Sequence, residues 1–128
     1  MKSVSIPFLA FVLGVAALSS PALADGNAEA GEVVFKKCKA CHVLEEGKNK
    51  VGPSLHHIIG RAPGSVEGFK YSKAMVEFGA GAVWDDATLA TYLADPRGVV
   101  KGTKMAFAGL KKEQEIADVI AYLKSADE

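Results

Sequence analysis

Cys38-Lys39-Ala40-Cys41-His42 holds both cysteines of the 128-residue chain, and its chemistry decides what the rest of the molecule must be. A redox Cys-x-x-Cys disulfide belongs beside a strand-helix unit, whereas this motif ends a helical stretch with no strand pattern before it. A zinc site needs further ligands at metal spacing; no second cysteine pair exists, and His56 and His57 are adjacent. Covalent haem attachment uses the whole motif. Two thiols separated by two residues reach two porphyrin vinyl groups from one turn, and the histidine after the second thiol directs its imidazole to the iron. The expectation is one haem c per chain, with thioethers from Cys38 and Cys41 and iron ligation by His42.

Attachment of this kind takes place outside the cytoplasm, and the first 24 residues read as an export signal. Lys2 supplies a positive start, Ile6 to Leu18 is almost unbroken apolar sequence, and Pro21-Ala22-Leu23-Ala24 offers small residues at a cleavage site. The competing reading, a membrane anchor, would need an apolar run of roughly 20 residues, longer than this one. The expectation is therefore a leader over 1–24, cleaved after Ala24, and a single domain over 25–128 in the periplasm, without stable membrane insertion and as a monomer. Of the 15 basic residues only Lys2 lies in the leader, so 14 stand against 15 acidic ones for a formal net charge of −1. That balance argues against bulk nucleic-acid binding.

Four helical stretches are expected, and no strand pattern competes with them. The first follows Asn27 as N-cap, with Ala30, Val33, Val34 and Cys38 near one face and Gly31 costing about 1 kcal/mol against alanine. A short piece follows Ser72, carrying Ala74, Met75 and Phe78, and stops near Gly79. The third is capped by Asp85 or Asp86, aligns Leu89, Tyr92 and Leu93, and is stopped by Asp95-Pro96. The last spans about Lys112 to Ser125, with Ile116, Val119, Ile120 and Leu123 on one face. Loops over 43–70 and 94–110 are too long for mere connection in so small a domain, so something inside must organise them.

Met105 is the candidate for the opposite face of the haem, because it sits in the loop Lys101-Gly102-Thr103-Lys104-Met105-Ala106-Phe107 and not on an apolar helix face. A thioether opposite an imidazole favours ferrous iron. The bland alternative is a core-filling methionine, the expected role of Met75.

Several segments together resemble the class I cytochromes c, the mitochondrial family and its alpha-proteobacterial relatives, over essentially the whole of 25–128. They are Phe35-x-x-Cys38-x-x-Cys41-His42, Val51-Gly52-Pro53-Ser54-Leu55, Gly60-Arg61, Gly68-Phe69-Lys70-Tyr71-Ser72, Trp84, Tyr92-Leu93-x-x-Pro96, Gly102-Thr103-Lys104-Met105-x-Phe107-x-Gly109 and Ala121-Tyr122-Leu123-Lys124. The resemblance implies a small all-α fold in which the first and last helices cross and loops wrap one haem, with Gly31 and Phe35 meeting Tyr122 at the crossing. It implies that the second ring nitrogen of His42 donates to the Pro53 carbonyl. Arg61, Tyr71 and Trp84 would hydrogen-bond the buried propionates, which need donors. Tyr92 and Thr103 would lie near Met105, the Tyr92 hydroxyl donating to its sulfur. In two places the chain departs from the mitochondrial pattern: Met75 stands where asparagine is usual, and Lys101 where proline is usual.

The function so implied is single-electron transfer without catalysis, since an iron held on both faces has no open position for substrate. Donor and acceptor would be redox proteins: a quinol-oxidising complex of the cytochrome bc1 type on one side, and an oxidase, reaction centre or reductase on the other. The alternative class, a peroxidase-like enzyme or gas sensor, requires Met105 to be displaced. Lys36, Lys37, Lys39, Lys48, Lys50, Lys101, Lys104, Lys111 and Lys112 cluster in sequence around the motif and the Met105 loop, and are expected to ring the haem edge for docking.

Overall fold

The computed structural model describes residues 25–128; the leader expected over 1–24 lies outside the described residues. Five helices and no strand are found among them: α1 (Ala28–Phe35), α2 (Lys73–Gly79), α3 (Asp86–Ala94), α4 (Pro96–Val99) and α5 (Glu113–Ser125).

Each start is set by a local signal. The Asn27 side chain accepts from the Ala30 N–H at 2.8 Å, Ser72 from Met75 at 3.1 Å, and Asp85 from Thr88 at 2.8 Å. α5 has no side-chain cap; Glu113 and Glu115 in its first turn and Lys124 in its last complement the helix dipole instead. The Asp95-Pro96 stop ends α3 as expected, but the chain restarts at once. Pro96 takes the first helical position of α4, where its missing N–H costs nothing, and Asp95 accepts from Gly98 N–H at 3.0 Å.

α1 packs on α5, and α3 on both α5 and α4. The buried face of α1 is Gly31, Val34 and Phe35; Ala30 and Val33, expected to point inward, are exposed. The crossing decides the rotation. A Cβ on Gly31 would stand 1.9 Å from the Asp118 carbonyl oxygen and 2.7 Å from Tyr122 Cβ, so the bare glycine is the contact point, and the Phe35 and Tyr122 rings meet beside it at 5.2 Å. Asp118 of α5 also accepts from the Asn27 N–H at 2.8 Å, tying the start of α1 to its partner.

The long first loop is pinned by backbone bonds. Gly52 donates to Cys41 at 2.8 Å and Leu55 to Val43 at 2.8 Å; Gly60 donates to Trp84 at 2.8 Å, and Trp84 back to Arg61 at 2.9 Å. These exchanges bring the 51–61 segment against the Cys-x-x-Cys-His turn on one side and Trp84 on the other. His57 turns the chain in a left-handed conformation (φ 47°), its N–H held by Asp127 at 3.0 Å.

Candidate functional site

The chain continues past α1 in tight turns, with Cys41 and His42 both donating to the Cys38 carbonyl at 3.0 and 2.9 Å. This turn presents Cys38, Cys41 and His42 to a single cavity of about 290 Å³ between α1, α3, α5 and the two long loops. Pro53, Arg61, Tyr71, Trp84, Tyr92, Thr103 and Met105 line the same cavity, so every site residue expected from the sequence faces one space. Both thiols are free and half-buried. Burial pushes the Cys38 thiol up, against the pull of Lys37, so it is held protonated, unlike the low-pKa thiolates of redox dithiols.

His42 is fixed from behind. Its Nδ1 lies 2.7 Å from the Pro53 carbonyl oxygen, which can only accept, so Nδ1 carries the proton and Nε2 keeps its lone pair. Burial lowers the imidazole pKa, with the Pro53 bond opposing, and the ring is neutral at neutral pH. Gly52 makes room for it: a Cβ there would stand 2.4 Å from His42 Cε1. The motif containing Gly52 was visible in the sequence; its role as the imidazole's wall was not.

Across the cavity lining, the Tyr92 hydroxyl donates to Met105 Sδ at 3.8 Å, and the Met105 N–H donates to Thr103 Oγ1 at 3.2 Å. Burial raises the Tyr92 pKa, with the Thr103 side chain opposing, so the hydroxyl remains a donor. Met75, expected as core filling, is half-buried, packs against the hydrophobic core and lines the cavity as well.

Arg61 spends its terminal nitrogens on the backbone, Nη1 on His56 O at 2.7 Å and Nη2 on Ser54 O at 3.1 Å. Its Nε is the one buried side-chain polar atom without a hydrogen-bond partner among the described residues. Such an atom is costly unless something accepts from it. The Tyr71 hydroxyl accepts from Val66 N–H at 3.0 Å and keeps its own proton to give. Trp84 is buried, its ring 4.9 Å from Tyr92 and 5.7 Å from Phe78. A mostly apolar cavity with two thiols, an imidazole, a thioether and an unmatched guanidinium N–H fits a flat apolar cofactor that carries a metal and an acidic edge. No group of three or more His, Cys, Asp or Glu that could hold a bare metal ion occurs among the described residues.

Comparison with known proteins agrees with this geometry. The family model described as Cytochrome c matches residues 28–127. The chain is 47% identical to cytochrome c2 of Rhodomicrobium vannielii over 124 residues, 96% of this chain and 95% of that one. It is 55% identical to cytochrome c2 iso-2 of Magnetospirillum fulvum over 91 residues, 71% of this chain and 93% of that one. Cytochrome cH from Methylobacterium extorquens superimposes with a TM-score of 0.73 at 44% identity, covering 78% of this chain and 99% of that structure.

Proposed function

This chain belongs to the cytochrome c family, whose members carry electrons on covalently bound haem c and are not enzymes, and from that premise we propose that it shuttles single electrons between redox complexes in the periplasm. The observation that carries the reading is the pairing of a tautomer-fixed His42, 2.7 Å from Pro53 O, with a hydroxyl-tuned Met105 on the lining of one cavity.

When bound, the haem supplies an iron that gains or loses one electron. The thiols of Cys38 and Cys41 would hold it as thioethers, and His42 Nε2 and Met105 Sδ would be the protein atoms that bind its iron. The Pro53 carbonyl keeps the imidazole oriented, and the Tyr92 O–H draws density from the thioether, favouring the ferrous form. Arg61 Nε, the Tyr71 hydroxyl and Trp84 would serve the propionates, whose burial without donors is expensive. Buried Phe35, Ile58, Leu89 and Leu123 give the cavity an apolar lining. With both His42 and Met105 engaged, the iron would have no place to bind substrate.

Docking falls to the exposed lysines around Cys41 and Met105. Lys37 pairs with Glu115 at 3.2 Å and Lys48 with Glu45, exposed pairs worth little. Lys36, Lys39, Lys50, Lys101, Lys104 and Lys112 are exposed as well, and would steer an acidic partner at a rate that falls with salt. No helix of the described residues is long and apolar enough to cross a membrane. We place the mature start at Asp25, which a mass spectrum of the exported protein tests.

The deciding experiment is the optical spectrum of the exported holoprotein in both oxidation states, with carbon monoxide added to the reduced form. Sharp reduced bands, the weak far-red band of sulfur-ligated ferric haem and indifference to carbon monoxide are expected. A high-spin spectrum, or tight carbon monoxide binding by the native protein, would overturn the carrier reading in favour of a sensor or peroxidase.

A further inference from the structure

Lys111 was counted among the docking lysines, yet its ammonium is turned back on the protein. Nζ donates to the Ala94 carbonyl at 3.1 Å and to the Ala108 carbonyl at 3.0 Å. Ala94 is the last residue of α3, where carbonyls lack intrahelical partners and the helix end carries negative partial charge. Ala108 lies three residues beyond Met105. The two stretches are already close: Leu110 N–H donates to Leu93 O at 2.7 Å, and Gly109, at φ +103°, passes so near that a Cβ would stand 2.3 Å from Ala94 O. α3 also carries Tyr92, the donor to Met105 Sδ. One cation therefore ties the end of the helix holding that donor to the chain leaving the acceptor.

We propose that Lys111 is a positioning residue for Met105, clamping the segment after it to the C-terminal end of α3, so that the thioether stays on the iron and under the Tyr92 hydroxyl. The inference rests on the reading of Met105 as an iron ligand. Asp95, the carboxylate next to Ala94, is occupied with the Gly98 N–H, which leaves the Lys111 contacts as hydrogen bonds to carbonyls and not as an ion pair. A neutral side chain of similar length should lose them, and arginine should keep them. Lys112 is also exposed and of equal charge, and its ammonium makes no hydrogen bond among the described residues, so it controls for charge alone.

The test is displacement of Met105 from ferric holoprotein by added imidazole, followed by loss of the far-red band, with helix content tracked separately by far-UV circular dichroism. Lys111→Met is expected to bind imidazole roughly tenfold more tightly than the wild type, a size set by loss of hydrogen bonds from a charged donor. Lys111→Arg and Lys112→Met are expected to match the wild type. Wild-type affinity in Lys111→Met, or an equal rise in Lys112→Met, overturns the clamp while leaving Met105 as ligand. Absence of the far-red band from the wild type itself removes the Met105 reading, and the clamp with it.

Discussion

Replacing Gly31 by alanine sets two physical effects against each other, and the structure decides the sign. By helix propensity alone, Gly31→Ala in the interior of α1 should stabilise by about 1 kcal/mol. The new Cβ, however, would stand 1.9 Å from Asp118 O, 2.5 Å from Asp118 C and 2.7 Å from Tyr122 Cβ. The first two atoms are α5 backbone and cannot rotate aside, so the helices must part locally. Overpacking of this kind costs about 1–3 kcal/mol, and contacts this short place it at the top of that range. The net is a loss of about 2 kcal/mol, or a fall in melting temperature of roughly 8–16 °C for a domain of this size. Thermal unfolding of the holoprotein, followed by far-UV circular dichroism, reads it directly. Gly81→Ala is the matched control, since nothing lies within 4 Å of its Cβ position, and it should be neutral or stabilising by up to about 1 kcal/mol. A Gly31→Ala protein melting at or above the wild type would refute the close crossing.

At Gly52, alanine would push against the imidazole of His42, 2.4 Å away at Cε1; Gly52→Ala should give a perturbed or partly high-spin spectrum, and an unaltered one would mean the imidazole has slack. Tyr92→Phe removes the donor to Met105 Sδ, making the sulfur a better electron donor to ferric iron. Potentiometry should show a fall of about 20–40 mV, the one-electron equivalent of a weak hydrogen bond, and an unchanged or higher potential contradicts the tuning role. The Asp118 carboxyl is held below the ordinary carboxylate range by the Asn27 N–H and Gln114, and Asp85 by the Thr88 N–H and side chain. Folded values below the unfolded ones contribute stability that is full above about pH 4 and is lost as pH falls through the folded values. Melting temperatures between about pH 2 and 5 should therefore drop less steeply in Asp118→Asn than in the wild type; parallel curves would show that Asp118 adds nothing. Cys38→Ser/Cys41→Ser, unable to form thioethers, should lack cooperative melting and near-UV dichroism when purified without haem; a sharp transition would mean the core closes unaided.

What the sequence made legible was what short patterns encode. The Cys-x-x-Cys-His turn, the caps at Asn27, Ser72 and Asp85 and the amphipathic face of α5 are local, and the structure has them where the residues put them. The roles of Pro53 and Tyr92 were legible only through the resemblance, since a carbonyl and a hydroxyl gain meaning from what lies opposite them. The rotation of α1 was misread because apolar spacing alone counts Ala30 and Val33 as inward, whereas the contact at Gly31, which has no side chain to count, turns them out. α4 was missed because a four-residue helix has no periodicity; its one signal was Asp95 before Pro96, read as a stop when it is also a cap. Lys111 shows the same limit, as nothing in a run of lysines marks one whose ammonium reaches the end of α3 and the chain after Met105.

The core and the site are largely the same side chains, and this explains why loops of such length are tolerated. Phe35, Ile58, Trp84, Leu89, Tyr92, Val119 and Leu123 belong to the buried cluster and also line the cavity. By the cost of unfilled volume, about 24 cal/mol per Å³, a space of about 290 Å³ forfeits up to about 7 kcal/mol when nothing occupies it. That figure is an upper bound, since the cavity opens to solvent, yet it rivals the 5–15 kcal/mol that holds an ordinary domain together. The α1–α5 crossing depends on this balance least at Gly31 and Asp118, where the contacts are direct between helices. The 43–70 segment and the Met105 loop depend on it, because Pro53, Leu55, Ile58, Met105 and Phe107 line the cavity. Cofactor attachment is therefore expected to stabilise these loops, as any group that binds only the folded state does.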